Sequence, residues 1–279
     1  MARLFNDSLR TPPPIITLLT DFGASDVFVG SMKGVILGIN PLAHIVDLTH
    51  DVPAHNVRAA AYLLQSAARY FPPGTIHVAV VDPGVGSERR PLLAFAMEQY
   101  FIAPDNGLLS GILASGMDVE IRELTNKQYF LGPIGSTFHG RDAFAPVAAW
   151  LSRGEPIETF GTEVENIIRF EIARARQESD RLLGEVQHID RFGNLITNIS
   201  REDLVSFVGA DQLIRVQVRM ADTRIGGLLR FYADAPSGAL AALINSDGWL
   251  ELFCHQARAT DVVGAKMNEP VEVSMEENK

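Results

Sequence analysis

The sequence predicts an α/β protein: an N-terminal α/β domain built on a mostly parallel sheet, followed by a smaller antiparallel β domain of barrel-like form. Three observations carry this. Between Ile15 and about Phe160, short β-branched runs alternate with longer helical stretches. Two of those runs, Ile15-Ile16-Thr17-Leu18-Leu19 and Ile76-His77-Val78-Ala79-Val80-Val81, are apolar enough to be buried on both faces, as parallel strands are. After about Asp180 the texture changes to short strand-like runs separated by Gly, Asn, Asp and Pro turns.

Met1 to Pro14 lacks an apolar signal core and reads as a flexible tail ending in Pro12-Pro13-Pro14. Helices are expected over Val27 to Ile39, Val57 to Tyr70 and Ala143 to Ser152, with Asn56 capping the second and Asp142 the third. The charged stretch from Glu171 to Arg181 is the natural linker, which gives domains of 15–170 and 182–279. In the second domain strands are expected over Leu182 to Asp190, Leu195 to Ile199, Leu213 to Met220, Ala239 to Asn245, Leu250 to Phe253 and Val271 to Met275.

Composition bounds the function. With 279 residues, 47% hydrophobic and 21% charged, the chain can bury two cores and is not of the disordered class. The net charge of −10, from 34 acidic and 24 basic residues, argues against a grip on phosphate backbones, so nucleic acid is not an expected partner. No apolar run reaches the roughly 20 residues of a membrane helix, so no membrane partner is expected either. The single cysteine, Cys254, allows no disulfide within the chain and fits a cytoplasmic protein.

Three loops concentrate the chemistry. The first, Thr20-Asp21-Phe22-Gly23, places Asp21 and Asp26 just before a helix. Carboxylates there either accept hydrogen bonds from a ribose diol or serve as turn and cap residues. The second, Asp82-Pro83-Gly84-Val85-Gly86, has glycines that admit close backbone approach and is followed by Arg89 and Arg90. A carboxylate beside a guanidinium either polarises a water or makes a structural ion pair. In the third, Thr137-Phe138-His139-Gly140-Arg141-Asp142, His139 is suited to orienting or deprotonating water near neutral pH. The first two loops follow buried strands, where α/β sheets bind ligands, so convergence of Asp82, Arg89 and His139 is expected.

Other chemistries find no support. His44, Asp47, His50, Asp51 and His55 cluster in sequence, but lack the spacing of a metal site, and no metal is expected. His55 is read as lining a pocket wall. No nucleophile elbow or phosphate-binding loop of the Walker type occurs. In the β domain, Asp190-Arg191-Phe192-Gly193-Asn194 offers a carboxylate for an ammonium, an aromatic face for a base and an amide for an adenine edge, or else is a polar turn around a buried Phe. Asn245-Ser246-Asp247-Gly248 reads as a hairpin turn, with Ser246 a donor for a carboxylate.

Together with Ala103-Pro104-Asp105-Asn106-Gly107, these motifs resemble the S-adenosyl-L-methionine hydroxide adenosyltransferase family, hydrolase relatives of the fluorinase and chlorinase enzymes, over about Ile15 to Ala259. The resemblance implies a Rossmann-like N-terminal domain, a C-terminal β-barrel, and a homotrimer with active sites shared between subunits. It implies conversion of S-adenosyl-L-methionine and water to adenosine and L-methionine, without a cofactor. It assigns Asp82, Arg89 and His139 to water activation and Asp21 to the ribose. Asp26, His55 and Phe138 would line the pocket, and Asp190, Phe192, Asn194 and Ser246 would hold the methionine and adenine ends. A halogenase is disfavoured because the long insertion those enzymes carry after the second loop is missing, only Pro91 to Tyr100 separating Arg90 from Phe101, and because a charged triad favours hydroxide over a halide. Asp247, where the halogenases place an arginine, and Cys254-His255-Gln256 depart from the pattern at the methionine end. A binding module without turnover is the alternative from another class.

Overall fold

The computed structural model of the chain describes residues 12–115, 118–132, 135 and 137–275, so all but the end of the tail read from the sequence lies outside the described residues. By the end of that segment the chain is already tied down, since Pro14 accepts a hydrogen bond from the His44 amide at 2.9 Å. The structure divides into two compact units, the first ending at Glu171 and the second beginning at Ile172.

The first unit is a seven-stranded sheet between two layers of helices. Its elements are β1 (Ile15–Thr20), α1 (Phe28–Ile39), β2 (His44–Thr49), α2 (Val57–Ala68), β3 (Ile76–Val80), β4 (Pro91–Ala96), β5 (Gln99–Pro104), α3 (Ser110–Ser115), β6 (Glu120–Leu124), α4 (Ala145–Leu151) and β7 (Gly161–Glu163). The strand order is β2-β1-β3-β5-β4-β6-β7. The β2, β1, β3 and β5 pairings are parallel, and those from β5 through β4 and β6 to β7 are antiparallel. Alternation along β1 sorts the two faces: Ile16 and Leu18 join α1 and α4 in one core, while Leu19 joins α2 and α3 in the other. Both faces are covered, which is why β1 and β3 are mainly apolar, with Thr17, Thr20 and His77 as their polar residues.

One polar group in that interior is fully accounted for. His77, at 0% exposure, meets Thr17 Oγ1 at 2.7 Å through Nδ1 and Gln99 Oε1 at 3.2 Å through Nε2. Its ring stacks on Phe101, and burial pushes its pKa down to about 4. A neutral imidazole is the form that this dry network accommodates.

Local chemistry sets the helix ends. Asn56 caps α2 as expected, its side chain accepting from the Ala59 amide at 3.0 Å. Asp142 does not cap the last helix. The chain from Gly140 to Phe144 makes a π-helical turn before α4, and Asp142 is buried, accepting from Gly135 N at 3.1 Å and Arg141 Nε at 2.6 Å. The helical turns begin at Gly140 with His139 at the N-cap position, so Asp142 lies inside the π turn rather than before the helix.

The second unit comprises β8 (Arg176–Glu178), β9 (Arg181–Ile189), β10 (Leu195–Ser200), α5 (Arg201–Val208), β11 (Val216–Met220), β12 (Thr223–Gly226), β13 (Leu240–Ile244), β14 (Trp249–Cys254), α6 (Ala259–Val263) and β15 (Pro270–Met275). The sheet runs β12-β11-β15-β9-β10-β14-β13, antiparallel throughout. It nearly closes: Leu229, just past β12, donates its amide to Ala242 of β13 at 2.8 Å, bringing the two edges together as a barrel does. Part of the charged stretch read as a linker is β8, folded back on β9 through Ser179, whose φ is 53°.

Candidate active site

In the first unit β1 and β3 are parallel neighbours, so the loops that follow Thr20 and Val80 leave the same edge of the sheet side by side. The second loop is a tight turn: Val85 N bonds to Asp82 O at 3.2 Å, Ser87 N to Gly84 O at 3.1 Å, and Gly86 takes φ 80°. This turn folds Arg89 back onto Asp82. Arg89 Nε donates to Asp82 Oδ1 at 3.0 Å and Nη2 donates to Oδ2. Both side chains are almost wholly buried, at 6% and 5% exposure. The next residue goes elsewhere, since Arg90 pairs with Asp105, Nη2 to Oδ2 at 2.6 Å.

The third loop completes the cluster. Gly140 lets it lie against α1, where an added Cβ would come within 3.2 Å of Met32 Sδ. His139 is thereby brought to Arg89, whose Nη2 donates to Nδ1 at 2.7 Å. Because a guanidinium has only hydrogens to offer, Nδ1 is the acceptor and the ring proton resides on Nε2. Burial and the Arg89 charge hold the His139 pKa below its ordinary value, against Asp82 and Asp142, which pull it up. Arg89 Nη1 is buried and has no hydrogen-bond partner among the described residues. A charged donor left over in a cluster of this kind can hold an anion or a water.

The remaining first-unit residues surround the first loop. Asp21 Oδ2 accepts from the His55 amide at 2.8 Å, and His55 takes φ 65°, so the two loops are pinned together. Asp26 is exposed and lines a cleft of about 610 Å³ with Gly23, Lys33, Asp47 and His50. Neither aspartate caps α1, whose N-cap position is held by Val27 with no side-chain hydrogen bond. Phe138 packs edge-on against Phe22 and Phe28, at 5.8 Å and 5.3 Å between ring centres. Of the sequence cluster considered for a metal, Asp47 lies between Lys33 Nζ at 2.6 Å and His50 Nε2 at 3.0 Å, while His44 is exposed.

In the second unit, Asp190, Phe192 and Asn194 line a pocket of about 610 Å³ with Tyr232 and His255 among their neighbours. Asp190 organises its own turn. Its Oδ1 accepts from Phe192 N at 2.9 Å and Asn194 N at 2.8 Å, and Oδ2 accepts from Asn194 Nδ2 at 3.0 Å. Phe192 is 73% exposed rather than buried, presenting a bare ring at the pocket, so the turn is not built around a buried Phe. The side-chain amide of Asn194 gives one hydrogen to Asp190. Ser246 sits in the Asn245 to Gly248 hairpin turn and does not line that pocket. Two residues unremarked in the sequence stand out here, Tyr232 and the buried Glu251, joined at 2.7 Å. The signal was a lone charge inside the apolar run Trp249-Leu250-Glu251-Leu252-Phe253-Cys254.

Comparison with known proteins agrees with the motifs. Residues 16–161 match the SAM hydroxide adenosyltransferase N-terminal domain and residues 184–272 the C-terminal domain, SAM being S-adenosyl-L-methionine. An (R)-S-adenosyl-L-methionine hydrolase of Salinispora tropica is 34% identical over 94% of this chain and 98% of its own length. A protein of the same name from Thermus thermophilus is 37% identical, covering 92% and 98%. A fluorinase of Nocardia brasiliensis is 30% identical over 86% of this chain and 89% of its own. The crystal structure of an uncharacterized conserved protein from Thermotoga maritima superposes with a TM-score of 0.87, at 36% identity, covering 93% of this chain and 99% of that one.

Proposed function

The chain belongs to the SAM hydroxide adenosyltransferase family, and we propose that within it the chain hydrolyses S-adenosyl-L-methionine to adenosine and L-methionine. The observation that carries this is the cluster of the buried Asp82–Arg89 ion pair and the half-buried His139, with one guanidinium nitrogen unclaimed among the described residues. The full-length relatives named as hydrolases support the same reading, and the fluorinases stand further away in identity.

The reaction needs little from the protein beyond a placed nucleophile. Oxygen attacks the ribose C5′ as the C5′–S bond breaks, and the sulfonium leaves as a neutral thioether that requires no proton. A cation and water give two neutral products and one proton. Arg89 stabilises hydroxide over water by donating from Nη1, and Asp82 fixes the guanidinium plane while Nη2 is shared with His139. His139 orients the group rather than removing the proton, because its Nδ1 lone pair is already taken by Arg89. Holding the nucleophile about 3 Å behind C5′ supplies the proximity contribution.

Residues 15–170 carry this machinery and Asp21, which takes the ribose hydroxyls, while Asp26, His55 and Phe138 line the pocket around them. Residues 182–279 carry Asp190, Phe192, Asn194 and Ser246 for the methionine and adenine ends. The proposal includes a homotrimer in which these two sets meet across subunits, and a cytoplasmic location. The test is direct: purified protein incubated with S-adenosyl-L-methionine releases adenosine and L-methionine in equal amounts. Tight binding without product would move the assignment to a binding module.

A further inference from the structure

Glu251 lies in the middle of β14 at 3% exposure, between the buried Leu250 and Leu252. Its two hydrogen bonds come from neutral groups: Tyr232 Oη donates to Oε1 at 2.7 Å and Asn245 Nδ2 to Oε2 at 3.1 Å. The charge it feels is that of Asp190, of its own sign. A buried carboxylate supported only by neutral donors, with a second carboxylate nearby, is costly and calls for a cation. Tyr232 connects this pair to the pocket, since its ring packs on Phe253 at 4.8 Å and both line the cavity with Asp190.

Counting lone pairs shows where a cation fits. Of the roughly four acceptor positions on the Asp190 carboxylate, three are filled by Phe192 N, Asn194 N and Asn194 Nδ2. The phenol of Tyr232, having given its hydrogen to Glu251, presents only lone pairs to other donors. These two acceptors, one a carboxylate and the other a phenol whose hydrogen is given to a carboxylate, suit a small donor-rich cation such as an ammonium.

We propose that Glu251, acting through the Tyr232 hydroxyl, is a positioning residue that makes this pocket select the ammonium end of the substrate's methionine moiety. The inference rests on the hydrolase reading of the same site. Glu251→Gln keeps the shape and a hydrogen-bond acceptor but removes the charge, and Tyr232→Phe removes the acceptor while leaving Glu251 in place.

The experiment measures binding of three probes by calorimetry in the full-length protein and both variants: L-methionine, its deaminated analogue, and adenosine. Steady-state hydrolysis of S-adenosyl-L-methionine is followed in parallel. In each variant the Kd for L-methionine and the KM should rise about tenfold, with kcat within about twofold. Affinity for the deaminated analogue and for adenosine should not change. Equal weakening of L-methionine and its deaminated analogue, selective loss of adenosine, or no change in any probe would overturn the proposal. Should Glu251→Gln not fold, Tyr232→Phe alone decides. Selective L-methionine binding in a parent protein that does not turn over S-adenosyl-L-methionine would keep the ammonium assignment and sink the hydrolase reading instead.

Discussion

Replacing Arg89 by lysine probes the buried cluster at its centre. In the parent protein one guanidinium spans Asp82 through two nitrogens and His139 through one of them, and still has Nη1 to offer. A lysine ammonium is a point charge on a flexible stem and cannot make this planar set of contacts at once. It keeps Asp82 partly neutralised, so the fold should survive at a cost of about 1–3 kcal/mol, typical of a buried hydrogen bond to a charge lost. The donor to hydroxide disappears, and losing one pre-placed donor of that kind costs about 10²–10³ in kcat, or roughly 3–4 kcal/mol. Initial rates read by chromatography of adenosine, with thermal melts alongside, measure both effects. KM should change little, because the lost contact is to the nucleophile. The variant's rate should also climb about tenfold per pH unit above neutrality, since hydroxide must then come from solution. A folded Arg89→Lys protein with kcat within about threefold of the parent would refute the reasoning.

Three further outcomes are expected. Protonating His139 would remove the lone pair that Arg89 uses and place two cations together; its pKa lies below the ordinary histidine value, so kcat/KM should hold at neutral pH, fall at a pH under about 6.5, and lose that limb in His139→Gln. His77 has a folded pKa of about 4 against about 6.5 unfolded, so between those values the unfolded chain binds a proton the folded chain refuses; its contribution to stability is complete above pH 6.5 and is lost as pH falls to 4, by up to about 3 kcal/mol. Urea unfolding across that range should show this slope reduced in His77→Gln. Removing the α2 cap with Asn56→Ala should lower stability by about 1 kcal/mol, visible as a lower urea midpoint with unchanged m.

The layering and the three loops were legible because strands buried on both faces leave long apolar runs, and glycines and aspartates mark where they end. Asp82, Arg89 and His139 could be brought together from sequence only by the rule that ligands gather at strand ends, and the structure places them within hydrogen-bonding distance. That Arg89 and not Arg90 meets Asp82 is a matter of turn geometry: Arg89 folds back over seven residues to Asp82, while Arg90 pairs with Asp105. The antiparallel half of the first sheet was less visible. Its β4 to β5 hairpin turns on Met97 and Glu98, at φ 54° and 56°, where an Asn-Gly pair would have announced the turn. Asp142 was misread because a π-helical turn has no signature at the level of capping residues. Tyr232 and Glu251 were missed because each is ordinary alone, and only the barrel fold sets a residue of the turn before β13 against one in β14.

The central claim is displacement by water at C5′. The measurement is to incubate the purified protein with S-adenosyl-L-methionine, as both sulfonium epimers, in chloride buffer made with heavy-oxygen water, and to weigh the nucleoside product by mass spectrometry. Adenosine carrying the label on its 5′ oxygen, formed one for one with L-methionine, is the predicted result. A chlorinated deoxyadenosine, or substrate bound and recovered unchanged, would contradict it.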